Sequence, residues 1–203
     1  MTMKERIRQL LNTESEAIAQ IPVTDEYEKV IALIHKAVHE MHGKLIASGM
    51  GKAGQIALSI ATTFSSTGTP AVFLHPSDAQ HGDLGVIQHN DILLLVSNSG
   101  KTREILELYN LGRNLSPDIP VIVLTGNPDS PLGELADAVL TTGNPPEVCP
   151  LGLTPTTSTT TMTVIGDLLV VLMMEKIGFT ASDYAKRHHG GYLGHKSRGA
   201  SGS

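Results

Sequence analysis

The sequence predicts one α/β domain, a three-layer αβα sandwich around a five-stranded parallel sheet. Short apolar runs alternate along the chain with longer segments whose apolar residues recur at helical spacing. Most of the short runs are apolar throughout, which is typical of strands covered by helices on both faces of a parallel sheet. A length of 203 residues, of which 40% are hydrophobic, suits one domain with a real core.

The first part of the chain, residues 1–42, is predicted to form N-terminal helices. The first helix ends before Pro22, and its apolar residues are Ile7, Leu10, Leu11 and Ile18. The second is predicted to begin at Asp25, which stands at capping-box spacing from Glu28. Its apolar stripe is Tyr27, Val30, Ile31, Ile34, Val38 and Met41.

Residues 43–196 are predicted to form the αβα core and the C-terminal helices. The predicted strands are Lys44–Ser48, Ala71–His75, Asp91–Ser97, Pro120–Gly126 and Ala138–Thr142. The third strand is the most apolar and is predicted to be central. A long helix after Pro155 and a last helix near Ala181 complete the domain, and residues 197–203 are predicted to be a flexible tail.

The strongest local signal is SNSGKT, residues 97–102, which we call the phosphate loop. It joins the most buried strand to a helix, and ligands bind at that edge of a parallel sheet. The helix start offers free N–H groups and a partial positive charge, while the serine and threonine hydroxyls add donors. Helix capping alone would need one hydroxyl, so three of them with a glycine predict a phosphate monoester site.

A second glycine-rich segment, GMGKAG at residues 49–54, matches G-x-G-x-x-G between a strand and a helix. A dinucleotide site would place an acidic residue at the end of the next strand, where His75 and Pro76 stand instead. The segment, called the glycine loop below, is therefore interpreted as a tight turn. Its Lys52 is predicted to face a sugar oxyanion or a phosphate.

Acid–base chemistry has five candidates, Glu104, Glu147, His81, His188 and His189. Glu104 also suits a simple charge at a helix N-terminus, and isolated histidines are usually structural. Metal-ligand residue types occur at His81, Asp83, Cys149, His188 and His189, but none has the paired spacing of a zinc site. We predict neither a metal nor a nucleotide cofactor, and an inert packed thiol at Cys149.

Composition disfavours several classes of partner. The net charge of -5 and the absence of a basic face argue against nucleic acid, and 3% aromatic residues leave few stacking platforms. A single cysteine permits no intrachain disulfide. The N-terminus lacks an apolar signal core, and the longest apolar stretch, Asp167–Glu175, is too short to cross a bilayer. These features predict a cytoplasmic protein without membrane partners.

The motifs SGMGKAG, HPSDAQHGDLG, SNSGKTREI, EVCPLGLTPTTSTT and HHGGYLG occur in this order between Lys44 and His195. In this combination the chain resembles the sugar isomerase (SIS) domain family, and specifically its arabinose-5-phosphate isomerases. The resemblance implies a flavodoxin-like SIS fold and a homotetramer with sites at subunit interfaces. It further implies interconversion of D-ribulose 5-phosphate and D-arabinose 5-phosphate through an enediol, supplying Kdo synthesis for lipopolysaccharide or capsule.

Roles follow from the resemblance residue by residue. The implied catalytic set is Lys52, His81, Glu104, Glu147 and His188, with His81 entering a neighbouring subunit's site. The implied substrate-binding set is Ser48, Gly49, Gly51, Ser97, Asn98, Ser99, Gly100, Thr102 and His189. Family members often have His-Pro-Gly-Gly where this chain has HHGG at residues 188–191, so the choice between the two histidines stays open.

Family members often carry a pair of CBS domains after the SIS domain, and no such segment follows in this sequence. We therefore expect any regulation to act at the sugar site or at an interface. Two alternatives to an arabinose-5-phosphate isomerase remain: a non-catalytic sugar-phosphate sensor, or an isomerase of another phosphosugar. The retained acid–base candidates favour catalysis over sensing.

Overall fold

A computed structural model describes residues 1–192 and 196–197. Its strands are β1 (Leu45–Gly49), β2 (Ala71–Phe73), β3 (Ile92–Val96), β4 (Val121–Thr125) and β5 (Ala138–Thr141). Its α-helices are α1 (Met3–Ala19), α2 (Glu26–Ile34), α3 (Gly51–Ser66), α4 (Pro76–Ala79), α5 (Arg103–Leu115), α6 (Pro131–Glu134), α7 (Thr157–Lys176) and α8 (Ala181–Arg187). A π-helical segment spans His35–Glu40, and a 3-10 helix spans Asp83–Val86. Residues 198–203 of the expected tail lie outside the described residues.

The five strands form one sheet in the order β2-β1-β3-β4-β5, and every pair is parallel. This order is the flavodoxin-like one. The strand predicted to be central, now β3, does lie in the middle. The predicted α/β fold with a five-stranded parallel sheet is therefore confirmed.

Both faces of the three inner strands β1, β3 and β4 are buried, which explains why these strands are apolar at successive positions. In β3, Leu94 and Val96 join one core cluster, and Leu93 and Leu95 join the other. The first cluster includes side chains from α2, α3 and α7, and the second includes side chains from α5. Because side chains alternate along a strand, a strand covered on both sides needs apolar residues throughout.

The second N-terminal helix differs from its prediction at both ends. Asp25 has helical dihedral angles and makes no capping hydrogen bond. Instead, the next carboxylate, Glu26, accepts the backbone N–H of Val139 at 3.0 Å and ties α2 to β5. The α-helix gives way to the π-helical segment after Ile34, so the apolar stripe loses its register and Met41 is exposed.

Helix α1 leaves its predicted apolar face open. It packs on α7, yet Ala17 is the residue that it buries fully, while Leu11 is 64% exposed and Ile7 is also exposed. On α7, Leu168 and Val171 are exposed as well. Helices α1 and α7 therefore both present uncovered apolar side chains.

Helix α7 is the one described helix that is long and apolar enough to cross a membrane. It has 20 residues, with a mean hydropathy of 1.4 over its most apolar window, half of which is buried in the interior. Its buried side chains, among them Ile165 and Leu169, belong to the core cluster formed with α3. This burial is the pattern of a helix that packs in the core of a domain.

The sheet has a switch point between β1 and β3. The helix after β1, α3, packs on one face of the sheet, and the helix after β3, α5, packs on the other. The connections therefore diverge at the carboxyl ends of two adjacent strands and leave a crevice between them. The glycine loop and the phosphate loop both begin there.

Candidate active site

A cavity of about 560 Å³ lies at this crevice. The loops after β1, β3, β4 and β5 contribute to it, and the N-terminal part of α7 closes one side. The lining residues are Met50, Lys52, Ala53, Ser97, Asn98, Ser99, Lys101, Thr102, Gly126, Asn127, Asn144, Pro155, Ser158, Thr159 and Met162. The predicted residues that meet in it are Lys52, Ser97, Asn98, Ser99 and Thr102.

The phosphate loop directs its hydroxyls at one another and at the cavity. The side-chain oxygens of Ser97 and Thr102 lie 2.9 Å apart, and the Ser99 hydroxyl accepts the backbone N–H of Lys101 at 3.2 Å. Thr102 precedes α5 at the N-cap position, but its side chain makes no capping bond. Its hydroxyl therefore remains available to a ligand beside the positive end of α5.

Gly100 lets this loop lie against its neighbour. Its φ angle is +61°, and a Cβ at this position would overlap the Ser130 side chain. Its carbonyl accepts the backbone N–H of Leu132 at 3.2 Å. Glycine is required at position 100 because any other side chain would strain the backbone at this φ angle and would overlap Ser130.

The glycine loop packs α3 closely on β1. A Cβ on Gly49 would lie 2.7 Å from the carbonyl oxygen of Ala53, and one on Gly54 would lie 2.6 Å from that of Gly49. Gly49 and Gly51 do not line the cavity, although both were predicted to bind substrate. Ser48 is likewise turned away, because it is buried and donates to the Leu74 carbonyl at 2.6 Å.

Lys52 is the residue of the glycine loop that brings charge to the site. It lies in the first turn of α3, is exposed, and lines the same cavity as the phosphate loop. Among the described residues no carboxylate forms an ion pair with it. Its ammonium group is therefore free to meet an anionic ligand.

Three asparagines line the cavity, of which the sequence analysis named Asn98 and missed Asn127 and Asn144. Asn98 follows β3, Asn127 follows β4 and Asn144 follows β5. A Cβ on Gly126 would lie 2.6 Å from Oδ1 of Asn98 and 3.2 Å from Oδ1 of Asn144. Their position just after strands was a usable signal, because parallel strands end at the same edge of a sheet.

Glu147 is held by the start of α7. Its Oε2 accepts the backbone N–H of Thr156 at 2.6 Å, the Thr156 hydroxyl at 2.8 Å and the backbone N–H of Ser158 at 3.3 Å. Partial burial raises the pKa of this carboxyl, but hydrogen bonds from Ser158 and Thr156 together outweigh burial and lower the pKa below its usual value. The carboxylate sits behind Ser158, which lines the cavity.

Glu104 occupies the first turn of α5, directly after the phosphate loop. It is half-buried, and no described donor makes a hydrogen bond to its carboxylate. The two predicted acids therefore differ: Glu147 is engaged by a helix start, and Glu104 keeps its lone pairs available. Neither carboxylate is among the residues that line the cavity.

Residues 39–172 match the SIS domain family, which is two thirds of the chain. The chain belongs to the SIS domain family. The predicted family is confirmed, and the phosphate loop and glycine loop both lie inside the matched segment.

Three similar proteins bear on this SIS domain. Arabinose 5-phosphate isomerase KdsD of Yersinia pestis is 44% identical over 191 residues, which are 93% of this chain and 56% of that protein. A Bacteroides fragilis protein, named as a candidate phosphosugar isomerase involved in capsule formation, is 63% identical with a TM-score of 0.93, covering 94% of this chain and all of that one. An Escherichia coli CFT073 protein in complex with arabinose 5-phosphate is 31% identical with a TM-score of 0.84, covering 93% and 100%. The chain spans about half the length of the curated relatives it matches.

The three predicted site histidines lie outside the cavity of this SIS domain. His81 is exposed in the turn after α4, where its backbone N–H bonds the Asp78 carbonyl at 2.9 Å. His188 caps the C-terminus of α8 and is half-buried, and His189 follows it. One chain therefore brings the phosphate loop, Lys52 and the α7 wall together without these rings.

Cys149 differs from the packed, inert thiol that was expected. It is half-buried, and its pKa is lowered to about 6 by hydrogen bonds from the Thr154 side chain and from the N–H groups of Thr154, Leu151 and Leu153. These donors belong to residues 151–154 of the same irregular segment, an influence on the pKa that sequence neighbours alone did not indicate. Within the described ranges, no three His, Cys, Asp or Glu side chains cluster as metal ligands.

Proposed function

We propose that this SIS domain interconverts D-arabinose 5-phosphate and D-ribulose 5-phosphate through an enediol. The observation that carries the proposal is the cavity at the β1/β3 switch point, where hydroxyls of the phosphate loop and the start of α5 face Lys52. The size of about 560 Å³ suits a small phosphosugar. The relationship to KdsD and to the Escherichia coli protein bound to arabinose 5-phosphate supports the choice of substrate.

The phosphate group anchors the substrate. Ser97, Ser99 and Thr102 supply hydroxyl donors, and α5 supplies N–H groups and the positive end of its dipole. Gly100 keeps the backbone close to the anion. Fixing one end of a five-carbon chain limits where its first two carbons can lie, which converts the proton transfer into an effectively intramolecular step.

The proton moves between two neighbouring carbons. A carboxylate takes the proton from C2 of the open aldose, and the C1 carbonyl oxygen becomes an oxyanion. The C2 hydroxyl proton passes to O1, the carboxylic acid returns its proton to C1, and C2 becomes the ketone. Lys52 stabilises the oxyanion as a cation in the cavity. Glu104 is favoured as the base over Glu147, because hydrogen bonds from the α7 start hold Glu147 as a weak base.

The histidines act in an assembly. His188 opens the furanose ring of the aldose, with His189 beside it, and His81 serves the site of a neighbouring copy. A homotetramer with sites at its interfaces agrees with the position of these rings outside the cavity of one chain, and with the exposed apolar side chains Leu11, Leu168 and Val171. In the cytoplasm the aldose product supplies Kdo synthesis for lipopolysaccharide or capsule.

The test is turnover of D-arabinose 5-phosphate in deuterated buffer, monitored by NMR. We expect ketose to form and the aldose to gain deuterium at C2, since an enediol exchanges its proton with solvent. A hexose 6-phosphate tested in parallel serves as the competing substrate class.

Two results would contradict the proposal. Binding of arabinose 5-phosphate without conversion indicates a sugar-phosphate sensor, and preferred turnover of the hexose phosphate indicates a different isomerase. A further test of the mechanism is Lys52→Met, which keeps much of the side-chain length but removes the cation. This variant is expected to lower kcat.

A further inference from the structure

Tyr184 and His188 form a stacked pair at the end of α8. Their ring centroids lie 3.7 Å apart with an interplanar angle of 4°. The two residues are one helical turn apart, so their side chains share a face of the helix. The stack covers one face of the imidazole.

The same tyrosine also binds the edge of the imidazole through its backbone. The carbonyl oxygen of Tyr184 lies 3.1 Å from Nδ1 of His188 and 3.1 Å from the backbone nitrogen of His188. A carbonyl oxygen can only accept hydrogen bonds, so Nδ1 carries the proton. In the neutral ring, Nε2 then holds the lone pair and is the basic nitrogen.

The support for this pair extends to the main body of the domain. Thr180 and Asp183 form a capping box that starts α8. The Tyr184 ring meets the edge of Phe179 at 6.5 Å and 73°. Phe179 in turn lies so close to Gly68, after α3, that a Cβ there would come within 2.8 Å of its ring. The imidazole is thus fixed through two aromatic rings to a buried helix end.

We propose that Tyr184 is a positioning residue that fixes the tautomer and the direction of His188, so that Nε2 acts in opening the sugar ring. This proposal rests on the proposed function. Nε2 takes the proton from the anomeric O1 hydroxyl, C1=O1 forms, and the C1–O4 bond breaks with its electron pair on O4. The imidazolium then returns the proton to O4, so the neutral imidazole is restored and no other reactant is consumed.

The kinetic test compares two substrates and two variants. The 4-deoxy analogue of arabinose 5-phosphate lacks the ring oxygen and stays open, so it needs no ring opening. For Tyr184→Leu we expect kcat/KM on arabinose 5-phosphate to fall about tenfold, because a misdirected base loses reactivity steeply. The same variant should lose less than twofold on the 4-deoxy analogue, and Tyr184→Phe, which keeps the stack, should restore turnover of both.

The tautomer can be measured without any change to the stack. With 15N-labelled histidine in the intact protein at pH 8, His188 should show a pyrrole-like Nδ1 and a pyridine-like Nε2, assigned by comparison with His188→Asn. A pyridine-like Nδ1 overturns the proposal even if Tyr184→Leu fails to fold.

The outcomes separate this proposal from the proposed function. If wild-type protein does not convert arabinose 5-phosphate, the proposed function fails, whatever the NMR result. If wild-type protein is active and His188→Asn is impaired, but Tyr184→Leu matches wild type on both substrates, the positioning role alone is wrong. An equal loss on both substrates also contradicts it, since that result places Tyr184 in folding rather than in ring opening.

Discussion

Oε2 of Glu147 lies 2.6 Å from the backbone nitrogen of Thr156 and 2.8 Å from the Thr156 hydroxyl oxygen. Thr156 is the N-cap residue of α7, yet its own side chain makes no capping bond. The Glu147 carboxylate, which is nine residues before Thr156, instead accepts the N–H of Ser158 in the first turn of α7 and does the capping. This links a predicted catalytic acid to the stability of the longest helix.

Glu147→Ala should lower the free energy of unfolding by about 1 kcal/mol, the usual cost of a lost N-cap. Because the pKa of Glu147 is lowered in the folded state, its contribution exists above the unfolded carboxyl pKa and is lost as pH falls through the folded value. The difference between wild type and variant should therefore be full at pH 7 and shrink below about pH 4.3. Urea unfolding at several pH values measures it.

The control is Glu16→Ala, which removes an exposed carboxylate from α1. It should leave stability nearly unchanged at every pH. A difference for Glu147→Ala that grows on acidification would show that its carboxylate is not held as described.

Thr102→Val should weaken phosphate binding, because it keeps the shape of the side chain and removes the hydroxyl that faces Ser97 at 2.9 Å. A hydrogen bond to a charged group contributes about 1.5–3 kcal/mol, so KM for arabinose 5-phosphate should rise about tenfold or more. The inhibition constant of inorganic phosphate should rise in parallel. Thr102→Ser should restore both values, and an unchanged inhibition constant would place the anion elsewhere.

Gly100→Ala should be more damaging than substitution of another glycine with the same backbone angle. Gly178 has φ of +62° and no neighbour within 4 Å of an added Cβ, whereas Gly100 has φ of +61° and would meet the Ser130 side chain. Gly178→Ala should cost about 1 kcal/mol from the dihedral angle alone. Gly100→Ala adds overlap in a packed site and should cost about 1–3 kcal/mol more.

Thermal and urea unfolding of the two glycine variants measure this difference. Gly100→Ala should also raise KM, while Gly178→Ala should not, because it follows α7 at the end away from the cavity. Equal losses of stability would refute the steric part of this explanation.

Cys149 should be alkylated by iodoacetamide with a half-maximal rate near pH 6, because the thiolate is the reactive form and its pKa is lowered to about 6. Thr154→Ala removes the side-chain donor and should move the midpoint up toward about 8.5, the value of an ordinary thiol. Mass spectrometry follows the modification, with Cys149→Ser as the blank. A wild-type midpoint above pH 8 would contradict the hydrogen-bonded thiolate.

Part of the candidate site followed from the sequence. Ser97, Ser99, Thr102 and Lys52 were predicted from strand–loop–helix junctions and do line one cavity. Ser48 and Gly49 stand beside the same junction but serve in packing. The Ser48 hydroxyl already donates to the Leu74 carbonyl after β2, and Gly49 lies so close to α3 that it has no room for a side chain. The Ser48 side chain is directed by Leu74, which is 26 residues away in the chain, whereas Gly49 packs on Ala53 in the next helix.

The sequence by itself determined the buried strands and the position of the anion site. Apolar runs at every position specified strands buried on two faces, and a polar loop after the most apolar strand located the anion site, since both depend on residues adjacent in sequence. Only the tertiary structure decided that β1 lies beside β3, so that Lys52 meets the phosphate loop, and that the start of α7 closes the cavity and engages Glu147. These relations depend on strand order and helix packing, which bring together segments whose contact no local sequence pattern predicts.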